Sequence, residues 1–183
     1  MVRRTAFIIA AIALLRAEKC DMSRSVVSLN DIAATDQLVT DSSFEGLWIS
    51  PKPHTDTVRV LGHGGHYVAT SWSEGTVPQS SDLILTRIGG QLYADVSPRE
   101  IEQRNMDVAL PVHLFVRVDR VRPVLTYRTM DMGWLKQFAA SHPSEISAVD
   151  MRGPIILTDS TTVLRAFLRR HAADSGAFGK DSG

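Results

Sequence analysis

Between Leu110 and Asp119 the chain alternates: Leu110, Val112, Leu114, Val116 and Val118 are separated by Pro111, His113, Phe115, Arg117 and Asp119. A period of two sends the five aliphatic side chains to one face of an extended strand. The rest of the chain must cover that face, so this strand belongs inside a sheet.

Two hairpins upstream supply neighbours. Asp56 to Trp72 turns at Gly64-Gly65, two residues that accept the positive φ of a tight turn. Counting outward pairs His63 with His66, Leu61 with Val68 and Val60 with Ala69, and puts Val58, Val60, Tyr67 and Ala69 on the core face. Asp82 to Val96 turns at Gly89-Gly90, with Leu83, Leu85, Leu92, Ala94 and Val96 on one face and Ile84, Thr86, Tyr93 and Asp95 on the other. A partner strand, Val124 to Tyr127, follows the Leu110 strand across a turn at Arg120 to Pro123. Strands in succession with short links and no helices between them predict an antiparallel up-and-down meander closing into a barrel.

After Thr129 the period changes. Met132, Leu135, Phe138 and Ala139 make one stripe of a helix that stops before Pro143. A short hairpin follows, Ile146 to Val149 and Pro154 to Thr158 around Arg152-Gly153. Ser160 or Asp159 then caps a last helix with Leu164, Phe167, Leu168 and His171 buried, Arg165, Arg169 and Arg170 facing water or the sheet edge, and Gly176 as its end. The fold class is therefore mainly β with two peripheral helices.

The N-terminal region has a different character. Arg3 and Arg4 precede an apolar run from Ala6 to Leu15, the length of an export-signal core and short for a bilayer span. Residues 1–20 read as an export signal, 21–43 as a polar tether or loosely held arm in which Asn30 to Leu38 reads as a short helix, 44–178 as the domain and 179–183 as a flexible tail. Cys20, the one cysteine of the 183 residues, can form no intramolecular disulfide but stands where a lipoprotein signal carries its lipidated cysteine. Lys19 before it is long and charged where that cleavage site takes a small residue. Lys plus Arg equal Asp plus Glu at 20 each, which removes the net basic field that a nucleic-acid partner needs.

Phe44-Glu45-Gly46-Leu47-Trp48, Arg87-Ile88-Gly89-Gly90-Gln91-Leu92-Tyr93-Ala94-Asp95, Leu110-Pro111-Val112-His113 and the run from Ile155 to His171 together resemble a family of uncharacterised bacterial lipoproteins. The resemblance covers Phe44 to Phe178. It implies an exported, lipocalin-like β-barrel domain with a terminal helix, and brings no catalytic residues with it. Gly46-Leu47-Trp48 also matches the Gly-x-Trp of a lipocalin first strand.

Candidate chemistry is sparse. His63 and His66 face each other across a hairpin and are the candidate metal ligands, with His54, Asp56 or His113 as a third. His113 alternates away from the aliphatic face, where it can pair with an acid. Asp95, Glu100 and Glu102 lie near a loop, and no serine lies in a Gly-x-Ser-x-Gly elbow. No cofactor is implied. These readings predict a noncatalytic protein of the bacterial cell envelope, periplasmic or membrane-anchored through lipid on Cys20. It would bind an apolar or amphipathic small ligand if the barrel is open, and an envelope protein if it is filled. The alternative is a small periplasmic hydrolase or metal-binding protein using His63, His66 or His113.

Overall fold

The computed structural model describes residues 4–5, 25–50, 56–99 and 112–179. Three short strands come first, β1 (Arg4–Thr5), β2 (Val26–Ser28) and β3 (Leu38–Val39). The meander follows: β4 (Gly46–Ile49), β5 (Thr57–His63), β6 (His66–Trp72), β7 (Gln79–Ile88), β8 (Gln91–Pro98), β9 (Leu114–Arg120) and β10 (Thr126–Arg128). From β4 to β10 every strand pairs antiparallel with the next, and the sheet curls into a half-barrel. β1 runs parallel to β4, and β3 lies beside β7, opposite Leu85 and Thr86.

Both glycine pairs turn where the alternation places them. His63 faces His66, Leu61 faces Val68 and Val60 faces Ala69; Leu83 faces Val96 and Leu85 faces Ala94. Fixing two turns fixes which side chains point inward, because a one-residue slip would send every one of them to the other face. The concave face accordingly collects Phe44, Trp48, Val58, Val60, Tyr67, Leu83, Leu85, Ala94, Val96, Leu114, Val116, Val118 and Tyr127 in one core. Trp48 is 1% exposed and donates its indole N–H to the Phe44 carbonyl at 2.8 Å, which satisfies the one polar atom on that side chain.

A second core lies on the convex face. After β10 come α1 (Met132–Ser141), β11 (Ala148–Asp150), β12 (Ile155–Leu157) and α2 (Thr161–His171). Asp131 caps α1, accepting the Trp134 N–H at 2.7 Å. β11, β12 and β2 form a three-stranded sheet in which β2 is parallel to β12. With the helices they bury Ile88, Tyr93 and Phe115 of the meander against Ile32, Leu135, Ile146, Leu157, Leu164, Phe167, Leu168 and Phe178.

Several sequence expectations shift. The 21–43 tether is part of the domain from residue 25 onward: Val26, Val27 and Ile32 are buried, and β2 pairs with both β12 and, through a bridge at Ser28, His113. Its apolar residues are too few and too scattered to show a period, yet Val26, Val27 and Ile32 each enter one of the two cores. The short helix at Asn30 to Leu38 is one 3-10 turn, Thr35–Gln37. α2 ends at His171, ahead of Gly176, and the chain folds back so that Ala177 and Phe178 are buried. Arg165 is buried, at 7% exposed.

Candidate functional site

β8 presents Tyr93 and Asp95 on its convex side. Asp95 stands opposite Phe115 in the β8–β9 ladder and is 2% exposed. A buried carboxylate is costly unless each oxygen finds a donor, and both do. One oxygen takes the backbone N–H of Ile32 at 2.7 Å, and the other meets Nδ1 of His113 at 2.8 Å. Because the carboxylate only accepts, His113 carries its proton on Nδ1 toward Asp95. The hydrogen bond to Asp95 raises the His113 pKa above its ordinary value, burial opposes the rise, and the charges of Asp95 and Asp31 add to it.

The backbone of His113 is held as firmly as its ring. Its N–H donates to the Ser28 carbonyl at 2.8 Å, and its carbonyl accepts from the Ser28 N–H at 2.9 Å. Asp31, nearby, accepts from the Thr161 hydroxyl at 2.6 Å at the start of α2. A carboxylate that orients a histidine is half of a general-base arrangement. Here its other contacts run to Ile32 and Ser28, so what the pair grips is the N-terminal arm.

Arg165 completes that grip from α2. Its guanidinium donates to the carbonyls of Ile32 at 2.6 Å and Arg87 at 3.1 Å, to the Thr86 hydroxyl at 3.1 Å and to the Gln37 side-chain carbonyl. One fork thus ties the helix, β7 and the arm together.

The structure brings His63 and His66 together, edge to face, with ring centroids 5.2 Å apart. His66 Nε2 lies 3.7 Å from Asp82, whose same oxygen sits 3.2 Å from Arg99. No group of three metal-type side chains forms among the described residues. Of the proposed third ligands, Asp56 accepts from the Ser73 hydroxyl, and His113 is engaged with Asp95. β7 and β8 separate His113 from His66, about 14 Å at the usual spacing between strands. Asp95, read as a strand residue near a loop, is buried in the convex core. Cys20, His54, Glu100, Glu102, Leu110 and Pro111 lie outside the described residues.

A pocket was expected on the aliphatic face if the barrel is open. The concave face is packed by its own side chains, and a cleft of about 350 Å³ opens instead on the convex side, between Ala139, Ala140 and Pro143 after and along α1 and Ile146, Val149 and Ile155 near β11 and β12. Lys136 and Asp150 close one end of it with an ion pair at 2.6 Å. Among the described residues no helix is long and apolar enough to cross a membrane. Compared with protein-family models, with curated proteins and with solved structures, the chain matches none.

Proposed function

We propose that this is a noncatalytic exported protein of the bacterial envelope, a lipocalin-like domain that binds an envelope partner through its surface. The observation that carries the reading is the burial of the concave face. Trp48, Val58, Val60, Tyr67, Ala69, Leu83, Leu85 and Val96 are each 2% exposed or less. A carrier of an apolar ligand keeps such a face open around a cavity of several hundred Å³; a filled one leaves the outer surface to make contacts. Native mass spectrometry of protein purified from the envelope tests this, together with the intact mass of full-length protein and of Cys20→Ala. The expected result is a mass without retained lipid ligand in the folded domain. A stoichiometric acyl ligand would restore the carrier reading, and a mass showing the leader uncut in a cytosolic fraction would sink the envelope address.

A hydrolase built on His113 is the second reading, favoured by the carboxylate at its Nδ1. Esterase activity present in the wild type and abolished in a folded His113→Gln variant would support it.

A further inference from the structure

In an up-and-down meander, alternate turns share an end. The β7–β8 turn at Gly89-Gly90 and the β9–β10 turn at residues 121–125 lie together, since Leu92 stands beside Val118 and Arg87 beside Leu92. Arg87, Arg120 and Arg122 are exposed at this end. The last turn of α2 reaches it too: a Cβ on Gly89 would meet Cγ of exposed Arg169 at 3.1 Å. The acids nearby do not balance these charges. Asp119 already accepts from Arg117 at 3.0 Å and Arg128 at 2.6 Å. Asp41 feels both Arg122 and Arg87 and accepts the Ser43 N–H at 2.8 Å, one carboxylate against several guanidiniums. A chain with no net charge therefore carries a local basic end.

One further feature distinguishes the kind of anion this end fits. At the Ser28–His113 bridge β2 runs antiparallel to β9, which heads toward the basic end. The chain therefore enters β2 from the side of that end. Cys20 lies five residues before Ser25, a span of at most about 18 Å. Arginines on the side from which a membrane-tethered chain would arrive match a headgroup surface.

We propose that the end formed by the β7–β8 and β9–β10 turns is an anionic-lipid docking surface, with Arg87, Arg120 and Arg122 seated among phospholipid phosphates. The proposal rests on the envelope address for its membrane and on a membrane tether that precedes β2.

Flotation of the full-length chain on vesicles of phosphatidylcholine alone, and of phosphatidylcholine mixed with phosphatidylglycerol, tests it. Wild type is expected to partition more strongly onto the mixed vesicles at low salt and to lose that excess at high salt. The triple change Arg87→Glu, Arg120→Glu, Arg122→Glu should lower partition onto mixed vesicles by roughly a hundredfold while leaving the neutral vesicles unaffected. Any apolar contribution of the leader is common to both proteins and cancels. Arg120→Glu alone should weaken binding well beyond Arg59→Glu, a control of equal charge on exposed β5, and melting curves confirm that each variant is folded. Equal partition of wild type onto both vesicle types overturns the proposal. So does a folded triple variant that binds mixed vesicles like wild type, or an acidic protein captured by these arginines in the absence of vesicle binding. Failure of the envelope address would appear separately, in the fractionation and intact mass.

Discussion

Arg165 occupies a position where the helical stripe expects a solvated charge, and it is buried because two segments, the arm and β7, aim oxygens at it. Nothing local marks such a residue, since its acceptors lie 78 to 133 positions away. Replacing it with Met keeps the stem and removes the donors, leaving buried carbonyls unsatisfied; the expected loss is about 2–3 kcal/mol in chemical denaturation. Lys, with one charge centre in place of a planar fork, should recover less than half of it. His113 makes a pH prediction. Its pKa is higher in the folded protein than the ordinary 6.5, so the stabilisation is complete below that value and is lost as pH rises through the raised one. The wild-type melting temperature should therefore fall across that interval. Asp95→Asn keeps an acceptor for the Ile32 N–H and removes the charge beside His113, so its melting temperature should start lower and stay flat over the same range.

At the scale of elements, the hairpins were legible because two independent signals coincide in each: a Gly-Gly turn and an alternation that selects one register. Gly89 and Gly64 occupy similar conformations, with φ of +59° and +57°. Their surroundings differ, because a side chain at Gly64 meets open space while one at Gly89 presses on Arg169 of α2. Gly64→Ala should cost about 1–2 kcal/mol for the left-handed backbone alone, and Gly89→Ala should cost more in the same denaturation experiment. Both helices were legible from their period, and so was the strand with Leu114, Val116 and Val118. The Asp95–His113 pair was only half legible. Alternation puts both residues on the convex face, but the buried environment of Asp95 comes from α2 and the three-stranded sheet, whose positions no local pattern records. β2 was not legible at all, since three residues bounded by polar ones carry no period. The site followed suit: His63 facing His66 came from counting, while the arm that Asp95 and Arg165 hold came only from the assembled fold.

For the whole molecule, the arm makes the domain larger than its visible β pattern. Val27 reaches the concave core and Val26 and Ile32 the convex one. A chain beginning at Phe44 should lose these contacts along with the partners of Asp95 and Arg165, and it should melt without a cooperative transition. One beginning at Asp21 should melt cooperatively. Circular dichroism against temperature, with limited proteolysis, separates the two outcomes.

The parallel pairing of β2 with β12 also sets a timetable. Ile155, Ile156 and Leu157 receive Val26, Val27 and Ser28 from 129 residues earlier, and synthesis supplies the earlier segment first. Until the last hairpin and α2 exist, Val26 and Val27 have no strand to join and Ile32 has no guanidinium to meet. The meander can form hairpin by hairpin from neighbours in sequence, whereas closing this long loop demands an entropy loss that only the finished chain can offset. The earliest residues of the domain are thus among the last to settle, and they remain open to other hands, such as a chaperone, for the whole time the rest is being made.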